Sequence, residues 1–262
     1  MANVRALVGK KILVTGALGG VGSSITRALH AAGAHVIGLD LKVPYEGNNF
    51  DATHAQTPDY FSVDLACARS VERFFAEEFN CVDDLFGVVN TVGVAGPRGP
   101  IEELDLTRLS DLFAVNVLSA FHVLHHTVPL LKSKRGGRIV FIGSAAGKMG
   151  YQNRSAYSAS KWALEGLMRS LSIELGPSKI SVNIVAPGPV EGAPIRAAIE
   201  RLMALEDLDY ASALERLTSQ SAMGELTEPS SIANAVLFLL LPESSQITGQ
   251  SISVDAGITN LN

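Results

Sequence analysis

An alternation of short apolar runs with longer amphipathic stretches extends almost from end to end of the chain, and it constrains the fold more than any other feature. Such an alternation is typical of βαβ units arranged around a parallel sheet. The apolar runs are continuous, as expected of strands that are buried on both faces. The seven predicted strands are residues 11–14, 36–39, 60–63, 85–89, 138–142, 181–185 and 251–254. The predicted helices are residues 21–32, 69–79, 107–131, 155–175 and 230–240.

Nothing in the 262 residues marks a boundary between domains, since the chain contains no internal repeat, low-complexity tract or Pro/Ser-rich linker. We therefore predict a single α/β domain over residues 1–262. Residues 187–221 fit no further strand, because a Pro/Gly turn is followed there by short helical pieces. An insertion of this kind beside the carboxyl edge of a sheet is typical of a substrate lid.

The composition excludes several classes of partner. The net charge of −5 shows no basic excess, which argues against nucleic acid because such binding depends on clustered Lys and Arg. The apolar run at residues 235–241 is far shorter than the ~18 to 20 residues that span a bilayer, and residues 1–11 carry no apolar signal region. We expect a cytoplasmic protein without a membrane partner. Cys67 and Cys81 fit neither a metal spacing nor a disulfide framework and are expected to be reduced.

A glycine-rich turn directly after the first predicted strand suits a phosphate ligand. Glycines let the backbone turn sharply and approach a pyrophosphate, while the N-terminus of the following helix offers unpaired N–H groups. The alternative is a glycine-rich turn without a ligand. The turn reads Thr15-Gly16-Ala17-Leu18-Gly19-Gly20-Val21-Gly22.

Asp40 strengthens the dinucleotide interpretation. It ends the second predicted strand, eighteen residues after Gly22, close to the ~20 expected of a carboxylate that binds the adenosine ribose hydroxyls. A carboxylate repels a 2′-phosphate, so NAD is favoured over NADP, although Lys42 stands two positions further on. Asp64, after the third strand, has two interpretations: a contact with the adenine amino group, or an N-cap for the helix that starts near residue 68.

Four polar residues indicate proton-transfer chemistry. Tyr157 and Lys161 are four residues apart in a predicted helix and therefore share a face, where the ammonium can stabilise a phenolate. Ser144 follows the strand at residues 138–142 and so lies at the edge where open α/β sheets bind ligands. Asn116 is a polar residue among apolar ones in the helix at 107–131, and a buried amide needs partners. We expect it to reach Lys161 through a water molecule.

In this order and spacing the motifs resemble those of the short-chain dehydrogenase/reductase family, over essentially the whole chain. The resemblance implies a doubly wound, Rossmann-like parallel sheet of strand order 3-2-1-4-5-6-7 with helices on both faces. It also implies hydride transfer between a nicotinamide and an alcohol or ketone carbon, and a homotetramer or dimer built on the helices that contain Asn116 and Tyr157. The motifs are the turn with Thr15, Gly16, Gly20 and Gly22, then Asp40, Asn90, Asn116, Ser144, Tyr157, Lys161, Asn183, Pro187-Gly188, Thr248-Gly249-Gln250 and Val254-Asp255-Ala256-Gly257.

The resemblance assigns roles to these residues. Tyr157 is expected to be the general acid/base, Lys161 to stabilise it and to bind the nicotinamide ribose, and Ser144 to hydrogen-bond the substrate oxygen. Asn116 is expected to hold the water that links Lys161 to solvent. The expected cofactor-binding residues are Thr15, Gly16, Gly20, Val21, Gly22, Asp40, Leu41, Asp64, Leu65, Asn90, Tyr157, Lys161, Pro187, Gly188 and Val190.

Two positions depart from the family pattern. Asn90-Thr91-Val92-Gly93 stands where similar proteins have Asn-Asn-Ala-Gly or Asn-Ala-Gly, so bulkier side chains must be accommodated beside the cofactor. Gly192 replaces a threonine that often bonds the nicotinamide carboxamide, and the backbone of Val190 is expected to take over that contact.

Three functions stay open on the sequence alone. The first is an NAD-dependent dehydrogenase acting on a secondary alcohol, such as a cyclic or hydroxy-acid metabolite. The second is an NADPH-dependent carbonyl reductase, and the third is a catalytically silent dinucleotide-binding sensor, which would have no need of a proton relay. Four cations near the predicted active-site edge indicate either an anionic substrate or ordinary solvated charge: Arg98, Lys148, Arg154 and Arg196. We predict no metal site, because no fourth ligand accompanies His122, His125 and His126.

Overall fold

In a computed structural model, which describes residues 6–43, 58–79, 84–134 and 136–260, seven parallel strands form one sheet. Their order is β3-β2-β1-β4-β5-β6-β7, as predicted. Each predicted strand overlaps an observed one with bounds that differ by at most two residues. The strands are β1 Lys11–Thr15, β2 His35–Asp40, β3 Asp59–Ser62, β4 Leu85–Asn90, β5 Gly137–Ile142, β6 Ile180–Pro187 and β7 Ser251–Val254.

Helices cover both faces of the sheet, so that consecutive strand residues enter different cores. Ile12 and Val14 of β1 pack with the helices at residues 20–31 and 229–240, whereas Leu13 between them packs on the opposite side with the helices at residues 68–77, 119–133 and 155–175. Large hydrophobic clusters thus cover both faces of the sheet, which explains why the strands are apolar without interruption. The helices are α1 Gly20–Ala31, α2 Ala68–Glu77, α3 Leu106–Phe113, α4 Ser119–Ser133, α5 Ser155–Leu175, α6 Ala193–Glu206, α7 Tyr210–Thr218 and α8 Pro229–Leu240.

The helix predicted at 107–131 is interrupted by a turn of π-helix at Ala114–Leu118, between α3 and α4. Such a turn inserts an extra residue and is frequent at functional sites. By length and composition alone, the helical run Leu106–Ser133 is long and apolar enough to cross a membrane. Its α4 part instead packs a buried apolar face on the sheet and on α2, as the core helix of a folded domain does.

The segment predicted as a lid contains α6 and α7 and pairs with the rest of the chain through an isolated parallel bridge between Val190 and Thr227. A cleft of about 1110 Å³ lies between α7, residues 223–228 and residues 253–257.

The strand register aligns the carboxyl ends of the central strands. Thr15 at the end of β1 is level with Leu39 in β2 and with Asn90 in β4. Asn90 is in turn level with Phe141, one residue before the end of β5. The residues that follow these strands therefore meet at one edge of the sheet.

Candidate active site

The glycine-rich turn between β1 and α1 is built so that only glycine fits at two of its positions. Gly16 has a φ of +63°, and a Cβ there would lie 2.9 Å from Thr91 Oγ1. A Cβ on Gly22 would overlap the carbonyl oxygen of Gly16. Gly20, at the start of α1, has open space around it, and Gly19 caps the helix without a side chain. The first N–H groups of α1 thus face a cradle that fits the pyrophosphate of a dinucleotide.

The bulkier residue Thr91 is accommodated by hydrogen bonds to the glycine turn. Its Oγ1 lies 2.5 Å from the carbonyl oxygen of Thr15 and 3.1 Å from that of Gly16. Thr15 Oγ1 donates to Asn90 Oδ1 at 2.8 Å. The buried Asn90 Nδ2 has no hydrogen-bond partner within the described ranges, which leaves a donor at the end of β4.

Asp40 is fixed at the end of β2 by backbone donors. Its Oδ2 accepts from the Leu18 N–H at 2.9 Å, and its Oδ1 accepts from the Leu41 N–H at 2.8 Å. Each carboxylate oxygen retains further lone pairs, so the group can still accept hydroxyl donors beside the glycine turn. This geometry fits an adenosine ribose.

The N-cap interpretation of Asp64 is wrong. Helix α2 begins at Ala68, and its N-cap is Cys67, with no capping side chain. Asp64 Oδ1 instead accepts from the Ala66 N–H at 3.0 Å, in a turn that precedes the helix. The buried Leu65 offers its carbonyl to His122 Nδ1 at 3.0 Å.

Tyr157 and Lys161 lie on the same face of α5, as their spacing predicted. Lys161 is buried, and its Nζ donates to the carbonyl oxygen of Ile142 at the end of β5, at 3.1 Å. The same Nζ is 5.8 Å from the centroid of the Tyr157 ring. A Cβ on Gly93 would lie 3.4 Å from Lys161 Nζ and also 3.4 Å from Asn116 Oδ1. Gly93 therefore lies close to both the Asn116 amide and the Lys161 ammonium.

Asn116 is fully buried in the π-helical turn and makes three hydrogen bonds. Its Oδ1 accepts from the Val94 N–H at 2.7 Å, and its Nδ2 donates at 3.0 Å to both Val94 O and Ser160 Oγ. Ser160 Oγ donates to the carbonyl oxygen of Tyr157 at 2.7 Å. The sequence did not predict these direct bonds; the expected water bridge to Lys161 stays a prediction.

Ser144 lies where the end of β5 meets α5. It follows Gly143, and its Oγ accepts from the Ala146 N–H at 3.2 Å. The short turn Ala145–Gly147 packs so closely on α5 that a Cβ on Gly147 would be 3.1 Å from the Lys161 carbonyl oxygen. Ser144 and Lys161 are thereby held at the same edge of the sheet.

Comparison with known proteins decides the family. A family model described as "Enoyl-(Acyl carrier protein) reductase" matches residues 16–259. The chain is a short-chain dehydrogenase/reductase. A trans-4-hydroxycyclohexanecarboxylate dehydrogenase of Sinomonas cyclohexanicum is 31% identical to it, over 99% of this chain and 96% of its own length. A tropinone reductase homologue of Arabidopsis thaliana is 31% identical, over 97% of this chain and 94% of its own length.

A solved structure supports the same placement. Carveol dehydrogenase from Mycobacterium avium, in complex with NAD, superposes with a TM-score of 0.85 at 25% identity, covering 97% of this chain and 99% of its own. The relatives show that this short-chain dehydrogenase/reductase is an oxidoreductase that acts on alcohol or ketone groups of small molecules.

The turn after β6 presents backbone groups to the same edge of this short-chain dehydrogenase/reductase. Thr227 N–H donates to Pro189 O at 2.8 Å, and Glu191 N–H donates to Thr227 O at 2.9 Å. These two bonds flank Val190 and leave its own N–H and carbonyl outside the bridge. Gly188 packs so tightly on Asp255 that a Cβ there would lie 3.0 Å from the Asp255 Cα.

The sequence left the role of the four cations near the active-site edge open. The structure shows that two of them, Lys148 and Arg154, have different partners. Lys148 Nζ donates to Ser251 O at 2.7 Å and to Ser253 Oγ at 2.8 Å, so it binds β7. Arg154, the residue before α5, instead places its guanidinium carbon 4.5 Å from the centroid of the Tyr157 ring. No sequence pattern distinguishes these two directions.

The histidines on α4 engage separate partners. His122 Nδ1 contacts the Leu65 carbonyl, whereas His126 stacks on Phe75 with ring centroids 4.7 Å apart. Burial is the main reason that the pKa of His126 is lowered; His125 lowers it further and Glu72 opposes the shift. Within the described ranges, no group of three His, Cys, Asp or Glu side chains could hold a metal ion.

Proposed function

We propose that this enzyme is an NAD-dependent dehydrogenase of secondary alcohols. One observation carries the proposal: Lys161 Nζ and Asn116 Oδ1 converge beside Gly93, with the Tyr157 ring 5.8 Å from the ammonium. A dinucleotide-binding sensor would need no such assembly. In the reaction, the carbinol carbon loses a hydride and its hydroxyl loses a proton, so that alcohol and NAD⁺ give ketone, NADH and H⁺.

The proton is handled by this chain's own side chains. The Tyr157 hydroxyl takes the substrate proton as general base and returns it in the reverse reaction as general acid. The buried ammonium of Lys161, anchored on Ile142 O, stabilises the phenolate form of Tyr157. Ser144 donates a hydrogen bond to the substrate oxygen while charge develops on it. Asn116 fixes the Val94 backbone and, through Ser160, the first turn of α5.

The cofactor is proposed to bind along the carboxyl edge of the sheet, where, once bound, it supplies the hydride acceptor. Asp40 would accept from the ribose hydroxyls, and the Val190 N–H or carbonyl would bind the carboxamide in place of the side chain that Gly192 lacks. The other proposed contacts are Thr15, Gly16, Gly20, Val21, Gly22, Leu41, Asp64, Leu65, Asn90, Tyr157, Lys161, Pro187 and Gly188.

Electrostatics supports NAD over NADP. The 2′-phosphate of NADP would add negative charge beside the Asp40 carboxylate, and two unit charges about 4 Å apart repel by about 4 kcal/mol near a protein surface. Each ~1.4 kcal/mol is tenfold in affinity, so we expect at least tenfold tighter binding of NADH than of NADPH. The Mycobacterium avium relative was solved with NAD, which agrees with this preference.

Titration with NADH and with NADPH, followed by energy transfer from the single tryptophan Trp162, tests the proposal. The wild type should prefer NADH at least tenfold. The matched variant Asp40→Asn, which removes the charge and keeps an acceptor oxygen, should reduce that preference by tenfold or more. A wild-type preference for NADPH would instead support the carbonyl reductase, and binding of neither would contradict the dehydrogenase.

We further propose that the enzyme is a homo-oligomer built on α4 and α5. These helices expose large apolar side chains that a monomer would leave in water: Phe121 on α4 and Trp162 and Ile173 on α5. Light scattering on the purified protein should show a dimer or a tetramer, and a monomer at micromolar concentration would contradict the proposal.

A further inference from the structure

An arginine lies against the face of the proposed general base. The guanidinium carbon of Arg154 is 4.5 Å from the centroid of the Tyr157 ring. The guanidinium carbon thus lies over the ring, and no described residue accepts a hydrogen bond from the guanidinium N–H groups. A guanidinium presents a planar fork of N–H donors that matches a carboxylate.

The backbone holds this arginine in place from both sides. Asn153, directly before it, has a φ of +60°, a left-handed conformation that asparagine tolerates better than most residues. The Asn153 carbonyl accepts from the Gly99 N–H at 3.1 Å, which ties the turn before α5 to the loop after β4. On the other side, the Arg154 carbonyl accepts from the Ser158 N–H at 2.9 Å in the first turn of α5.

A second arginine adds positive charge at the same place. Arg98 precedes Gly99 in the tied loop and is exposed. Burial lowers the pKa of Arg154, Tyr157 opposes that shift, and Arg98 adds to it. Across the described ranges, neither arginine has a carboxylate within ion-pair distance. Two cations close together, one of them half-buried and neither neutralised, leave a local positive potential beside the Tyr157 ring.

We propose that Arg154, supported by Arg98, binds a carboxylate of the substrate and so selects hydroxy acids over neutral alcohols. This inference rests on the proposed function, because it places the substrate hydroxyl at Tyr157. The carboxylate must then be separated from the hydroxyl by a small ring or a short chain, since the two anchors are adjacent. The enzyme thus favours a cyclic or short-chain hydroxy acid over an unfunctionalised alcohol.

Binding of inert probes tests this specificity without any turnover. Isothermal titration of the protein saturated with NADH compares cyclohexanecarboxylate with its neutral isostere cyclohexanecarboxamide. The wild type should bind the carboxylate about 10- to 100-fold more tightly, the range for hydrogen bonds to a charged group. Arg154→Gln should abolish this difference, and Arg154→Lys should retain part of it, because the charge stays while the fork is lost.

Arg169→Gln is the matched control. Arg169 lies exposed on α5, about 22 Å along the helix from Arg154, and its substitution should preserve the preference for the carboxylate. No carboxylate binding at millimolar concentration, or the same preference in Arg154→Gln as in Arg169→Gln, would overturn the inference. Thermal melts of each variant verify that it is folded.

Kinetics separates this inference from the proposed function. For a hydroxy acid and its carboxamide analogue, the ratio of the two kcat/KM values should fall about 10- to 100-fold in Arg154→Gln, mainly through KM. A merely structural role of Arg154 would lower both values together. If carboxylate binding depends on Arg154 but no hydride is transferred with NAD to or from any cyclic substrate, the proposed function fails and the binding site stands.

Discussion

Replacement of Asn116 by leucine tests how the active site is held together. Leucine has the same branched side-chain skeleton but cannot hydrogen-bond, so Asn116→Leu removes three bonds at once: two to the Val94 backbone and one to Ser160 Oγ. The Ser160 hydroxyl keeps its bond to Tyr157 O. The change therefore releases both the loop after β4 and Ser160 of α5 from the Asn116 side chain, because the remaining Ser160 bond lies within α5 itself.

The magnitude follows from these bonds. Each contributes about 1 kcal/mol net. Val94 is 46% exposed, so water can replace part of what its backbone loses, and we expect the free energy of unfolding to fall by about 2 to 3 kcal/mol. For a chain of this size each kcal/mol corresponds to about 2 to 4 °C in Tm. The expected decrease in Tm is about 4 to 12 °C.

Differential scanning calorimetry measures the decrease, with Ser119→Ala as the control. Ser119 is also fully buried on the same helical run, but its hydroxyl donates only to the Val115 carbonyl one turn earlier, at 2.6 Å. Its loss should cost under about 1 kcal/mol. If Asn116→Leu lowers the Tm no more than Ser119→Ala does, the amide does not anchor the loop and the reasoning is refuted.

Two further substitutions probe other parts of the account. Gly22→Ala places a methyl group on the Gly16 carbonyl oxygen, so the turn must move. The affinity for NADH, measured by titration calorimetry, should therefore fall at least about tenfold. Unchanged affinity would show that the turn does not hold the cofactor. Lys148→Met keeps the aliphatic stem but loses the bonds to Ser251 O and Ser253 Oγ, so urea unfolding should show a loss of about 2 kcal/mol. Unchanged stability in that variant would mean that the ammonium contributes nothing to the attachment of β7.

The sequence predicted the strands well because burial on both faces demands uninterrupted apolar runs. The strand order came from the family resemblance and agrees with the structure. The π-helical turn at Ala114–Leu118 was not predicted, since a single inserted residue hardly changes the hydrophobic period of a long helix. An N-cap role for Asp64 is a natural interpretation of an acidic residue just before a helix. The helix begins only at Ala68, so the Asp64 carboxylate binds the Ala66 N–H instead of capping the helix.

Much of the site depends on contacts that no local pattern encodes. Asn116 could be recognised as a buried amide, yet its partners Val94 and Ser160 come from distant parts of the chain. Similarly, the sequence places both Lys148 and Arg154 near the predicted active-site edge and does not distinguish their partners. Tertiary packing directs the first to β7 and the second to the Tyr157 ring.

The most direct test of the central claim is the initial rate of NADH formation from NAD and a panel of cyclic secondary alcohols and hydroxy acids, compared between the wild type and Tyr157→Phe. The account predicts turnover by the wild type and a rate about 10² to 10⁴-fold lower in the variant, with affinity for NADH nearly unchanged, because only the proton acceptor is lost. Wild-type turnover by Tyr157→Phe would contradict the account.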